Sequence, residues 1–62
     1  MNALPARLAM LTIGEVAHAL RVSAKTIQRQ IASGELGAVR IGRGVRVPVT
    51  ELEIFISKRR TA

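Results

Sequence analysis

Lys25, Gln28 and Arg29 fall within five consecutive positions, and Arg40, Arg43 and Arg46 recur at every third position further on. Ammonium and guanidinium groups bond phosphate oxygens and the O6/N7 edge of guanine, and a glutamine amide matches adenine in a bidentate way. Ser23 and Thr26 lie among the first group and add hydroxyls suited to phosphate oxygens. These groups hold an anion; they do not by themselves break bonds. Catalysis wants paired titratable groups in a pocket. The four acids are Glu15, Glu35, Glu51 and Glu53, most of them at expected helix caps or ends, and His18 is the only histidine. Without cysteine there is no disulfide framework and no Cys-based zinc site. No catalytic residue, metal ligand or cofactor is expected.

Charge points the same way. Ten Lys/Arg against four Asp/Glu give a net charge of +6 and a pI near 11.8. That is well above the value of about 9 that marks nucleic-acid-binding domains. An anionic membrane surface is the other polyanion to consider, but no run approaches the ~18 apolar residues of a spanning helix. The start, MNALPARLAML, lacks the long apolar stretch of a signal peptide. With cysteine also absent, the expected location is the cytoplasm.

The elements that must position these cations follow from spacing. A chain of 62 residues is one domain at most, with a core built from aliphatic residues because Phe55 is the only aromatic. Residues 1–10, with Leu4, Leu8 and Met10 around Pro5, are expected to form an arm over the core edge; residues 11–60 are the domain. Thr12 and Glu15 spell a capping box. Ile13, Val16, Ala17 and Leu20 then share one helical face, with Glu15 and His18 opposite. Arg21-Val22 is a tight turn, and Ser23 caps a second helix. In that helix Ile27 and Ile31 face inward, while Lys25, Arg29 and Ala32 face out, flanked by Thr26 and Gln28. Gly34 suits the left-handed position that closes it.

Beyond Gly34, Val39 and Ile41 alternate with Arg40, and Val45, Val47 and Val49 with Arg46 and Pro48. Period two predicts two strands whose valines and isoleucine face the core. Gly42-Arg43-Gly44 is expected to be the hairpin loop, with positive φ at its glycines. Thr50 and Glu53 predict another capping box, and Leu52, Phe55 and Ile56 an inward stripe on a last helix. Ile54 lies opposite that stripe and is expected to be exposed. Lys58, Arg59 and Arg60 complement the negative end of the helix dipole.

Helix, tight turn, helix, hairpin, helix is a mainly α fold with a β-hairpin, a winged helix-turn-helix. A B-DNA major groove admits one α-helix. The N-terminal end of the second helix, with Ser23, Lys25, Thr26, Gln28 and Arg29, is the end suited to enter it. The hairpin arginines Arg40, Arg43 and Arg46 would lie over a phosphate strand, or place Arg43 in a minor groove.

LTIGEVAHALRVSAKTI followed by SGELGAVRIGRGVRVPVTELEIFI resembles the excisionase-type DNA-binding domain, a small winged helix-turn-helix related to the DNA-binding half of MerR regulators. The resemblance covers residues 11 to 57. It rests most on VS-x-x-TI, SGEL and AVRIGR-x-x-R-x-P. It implies major-groove contacts from Ser23, Lys25, Thr26, Gln28 and Arg29, and wing contacts from Arg43 and Arg46. Arg21 stands where the family often has glycine, and Gln28 and Val45 stand where aromatics are common.

Excisionases, or recombination directionality factors of phages and mobile elements, are architectural. They bind attachment-site DNA, often as adjacent copies, bend it, and tip an integrase toward excision. The resemblance therefore implies three partners: double-stranded DNA, an integrase on that DNA, and further copies of the chain. Exposed Ile54 or the apolar arm is a candidate for that self-association. A small winged helix-turn-helix repressor would use the same fold and residues. A protein-interaction module is the other class, and would bind DNA weakly and without salt dependence.

Overall fold

Thr12 and Glu15 form the capping box that the sequence spells. The Glu15 N–H donates to Thr12 Oγ1 at 3.0 Å, and the Thr12 N–H donates to Glu15 Oε1 at 2.8 Å. In the computed structural model, which describes residues 9–61, this box opens α1 (Ile13–Leu20). A short strand, β1 (Met10–Thr12), runs straight into it. There follow α2 (Ala24–Ala32), β2 (Val39–Ile41), β3 (Gly44–Pro48) and α3 (Val49–Lys58). The winged helix-turn-helix is therefore the fold. Among the described residues, no helix is long and apolar enough to cross a membrane.

The sheet has three strands in the order β1-β3-β2, both pairings antiparallel, and not the two of a bare hairpin. Met10, assigned to the arm by sequence, opens β1, while residues 1–8 lie outside the described residues. Leu11 stands opposite Val47, and the Ala9 carbonyl accepts from the Val49 N–H at 3.0 Å. Three residues just before a helix cap are too few to show a period of two, so β1 is invisible locally. It exists because β3 offers it a free edge.

The hairpin register overturns one expectation. Ile41 pairs with Gly44, so the loop is Gly42-Arg43 alone. Only Gly42 has positive φ (60°), as a two-residue turn with glycine in first place requires; Gly44 belongs to β3. A two-residue loop sets odd positions of β2 opposite even positions of β3: Val39 faces Arg46, and Arg40 faces Val45. Side chains of paired residues share a face. Val47 is fully buried, so its face of the sheet is the core face. Val39 and Ile41 lie on the other face, 39% and 57% exposed, and do not face the core. One residue of loop length decides the matter, because it shifts the register by one and turns the strand over.

The core gathers Val16 and Ala17 from α1, Ile27 from α2, Val47 from β3, and Leu52 and Phe55 from α3. Ile31, expected inside, is half-buried against this cluster. Leu36 joins the core at 1% exposure, although no periodicity marks it in the loop after α2. Ile56, assigned to the inward stripe, is 42% exposed. The Thr50–Glu53 box does not form. Strand passes into helix without a loop, Pro48 occupies the N-cap with no side-chain bond, and Thr50 is already in the first turn.

Both ends of the helix pair close in the same way. At α1, the Arg21 N–H donates to the His18 carbonyl and the Val22 N–H to that of Ala17; at α2, the Gly34 N–H donates to Ile31 and the Glu35 N–H to Gln30. This doubled closure places Arg21 (φ 57°) and Gly34 (φ 84°) in the left-handed region. Glycine does this freely, whereas a residue with a Cβ is strained by about 1–2 kcal/mol.

Leu36→Ala removes a buried side chain from a small core and should cost about 2–5 kcal/mol. That is a large part of the 5–15 kcal/mol typical of whole domains. Urea unfolding measures it, and an unchanged midpoint would remove Leu36 from the core.

Candidate nucleic-acid interface

At the start of α2 the Thr26 N–H donates to Ser23 Oγ at 3.1 Å, and the two hydroxyl oxygens are 3.0 Å apart. These hydroxyls therefore first serve the helix end. One hydrogen lies in their mutual bond, which leaves the other free to donate outward.

Ile27 is buried and Gln30 and Ile31 are half-buried, which turns Lys25, Gln28, Arg29 and Ala32 to solvent. At 100° per residue these four span an arc of about 100°. The first turn holds no acidic residue. Among the described residues, arginine side chains donate hydrogen bonds only from Arg46 and Arg59, so Arg29, Arg40 and Arg43 have no internal acceptor there. Lys25 is exposed and equally unpaired.

The wing does not present its arginines as one row. Arg43 is exposed at the second loop position. Arg40 lies opposite Val45 on the core-side face, exposed beyond the edge of the core. Arg46 lies on the outer face between Val39 and Thr12, half-buried, with Nη1 donating to the Val45 carbonyl at 2.9 Å. The register that turned β2 over separates Arg40 from Arg46. Ile54 is exposed on α3.

Arg59 has a role that the sequence suggested only as a charge at a helix end. Its guanidinium stacks 3.7 Å from the Phe55 ring centroid and donates to Gln30 Oε1 at 3.2 Å. It also lies 3.5 Å from Glu35 Oε2, and Nη1 donates to the Phe55 carbonyl at 3.4 Å. This bridge ties the C-terminal turn of α2 to α3. The local signal was an arginine four residues after an aromatic, a spacing that brings side chains together on a helix.

A helix pair with a three-residue turn and a cationic outward helix face is followed by a wing. The helix-turn-helix domain family matches residues 10–60. The chain belongs to that family. α1, the Arg21–Ser23 turn and α2 are its helix-turn-helix, and β2–β3 is the wing. Two proteins of Mycobacterium tuberculosis, from strains CDC 1551 / Oshkosh and ATCC 25618 / H37Rv, are each 50% identical over 42 residues. Both carry the name "Putative DNA-binding protein". The match covers 68% of this chain and 54% of each relative, so the chain spans about half the length of these relatives. No solved structure matches it significantly.

The first capping box carries a pH signature. The Thr12 N–H, and then the Thr12 hydroxyl, hold the Glu15 carboxyl below its ordinary value; the Arg46 guanidinium adds a smaller pull. A lowered folded pKa stabilises above the unfolded value, and that stability is lost as pH falls through the folded one. Glu15→Gln keeps an acceptor for the cap but cannot titrate. Its melting temperature should decline less steeply than the parent's on the acid side. Parallel declines would mean that Glu15 contributes nothing there.

Proposed function

We propose that this chain binds duplex DNA with α2 in the major groove and the wing on the flanking backbone, and that it acts as an excisionase. The observation that carries the proposal is the outward face of α2, where Lys25, Gln28 and Arg29 are exposed and free of internal partners. In this arrangement Arg29 and Gln28 meet base edges, Lys25 meets phosphate, and the free hydroxyl hydrogen of the Ser23–Thr26 pair donates to a phosphate oxygen. Arg43 meets the backbone or the minor groove, with Arg40 and Arg46 as the wing's other cations. The name borne by the mycobacterial relatives agrees with a DNA partner.

Contacts to about 6 phosphates give a log-log salt slope near −5. Arg29→Ala should cost about 1–3 kcal/mol on the preferred site and relax sequence choice. Arg43→Ala should weaken all sequences about equally. Binding titrations on matched and mismatched duplexes separate the two; a change of sequence preference with Arg43→Ala would mean that the wing reads bases.

The architectural role rests on the resemblance to excisionases. Bending 20–30 base pairs by 40–90° costs on the order of 1–6 kcal/mol, more than one small domain easily supplies, so adjacent copies would share it. Recombination with an integrase and its attachment sites decides the role. The chain should shift the products toward excision. Unchanged direction together with lowered promoter output would assign it to repression instead.

A further inference from the structure

Two helix ends in this chain are closed by the same hydrogen bonds but by different residues. At α2 the Gly34 N–H reaches the Ile31 carbonyl at 3.1 Å and the Glu35 N–H reaches Gln30 at 3.0 Å. At α1 the Arg21 N–H reaches His18 at 3.2 Å and the Val22 N–H reaches Ala17 at 3.0 Å. The residue between is left-handed in both cases, and Arg21 is the one non-glycine residue of positive φ among those described. Glycine closes α2 without strain. It would close α1 as well, so the local backbone gives no reason for an arginine at position 21.

Packing gives none either. Arg21 is exposed, and its guanidinium has no hydrogen-bond or ion-pair partner among the described residues, in contrast to Arg46 and Arg59. Backbone strain kept without an internal return is found where a side chain serves a ligand. Arg21 stands two residues before Ser23, so its Cα lies within about 7.6 Å of the α2 cap, at the end of the helix that carries Lys25. A guanidinium presents a planar fork of donors suited to a phosphate.

We infer that Arg21 anchors the DNA backbone, its guanidinium pairing with a phosphate of the duplex that α2 engages; this rests on the DNA-binding reading above. The contact carries no sequence information, so its test does not need the target site.

Parent, Arg21→Gly, Arg21→Asn, Arg21→Lys and Lys25→Ala are melted, then titrated into a fluorescein-labelled duplex of arbitrary sequence between about 50 and 200 mM salt. Arg21→Gly should melt higher than the parent yet bind more weakly. Its log-log salt slope should be shallower by about 0.9, so that the parent's advantage shrinks about 3.5-fold across that range. Arg21→Asn, neutral but tolerant of the left-handed region, should match it, and Arg21→Lys should keep the parent's slope. Arg21→Gly that binds as tightly as the parent with the same slope overturns the inference, as does Arg21→Lys losing as much slope as Arg21→Gly. A dependence on Arg21 seen only with anionic phospholipid vesicles overturns the assignment to DNA. A parent without salt-dependent binding to the duplex defeats the DNA reading itself. A parent that binds, with Lys25→Ala weakened and Arg21→Gly not, defeats this inference alone.

Discussion

Strand β3 is hydrogen-bonded on both edges, and the rest of the molecule is hung from it. Val47 near its end is fully buried, with Leu11 opposite it on β1. β1 continues into α1 through the Thr12 cap, and β3 continues into α3 at Val49. The helix pair is thus held at its start by one strand, and the closing helix by the neighbouring one. With no loop at either junction, the strand pairing fixes where α1 and α3 begin. A domain of this size buries only about 60% of the surface its unfolded chain exposes, so such junctions replace a larger core.

That economy explains how so small a scaffold carries so many cations. Seven buried side chains, all apolar, form the core, and no polar or charged residue is buried among those described. Charges remain at the surface, where they cost little to keep solvated. Arg59 and Arg46 donate to nearby backbone carbonyls, and Arg59 also joins α2 to α3. The exposed cations of α2 and the wing tip have no internal partner among the described residues. Their mutual repulsion opposes the compact state, and the DNA contact proposed for that surface would relieve it.

Much of the first half of the domain could be read locally. The Thr12–Glu15 box, the tight turn at Arg21, the Ser23 cap, the left-handed Gly34 and the inward Ile27 are settled by residues within one helical turn of each other. The second half, and β1 at the very start, could not. β1, the buried Leu36 and the absent Thr50–Glu53 box depend on contacts with residues remote in sequence. The buried face of β2 is not legible locally, because alternation gives a strand two faces without saying which is buried. The outward arc of α2 could be read from its period; the separation of Arg40 from Arg46 could not.

What the sequence determined by itself was the order of the three helices and the hairpin, the caps of α1 and α2, the excess of positive charge and the cationic face of α2. Each follows from backbone hydrogen bonds and helical spacing over a few residues. Only the tertiary structure decided which sheet face meets the core, and which arginines bond internally or face out. The physical reason is that strand register is set by pairing across the sheet, and a loop shorter by one residue exchanges the two faces whatever the local pattern.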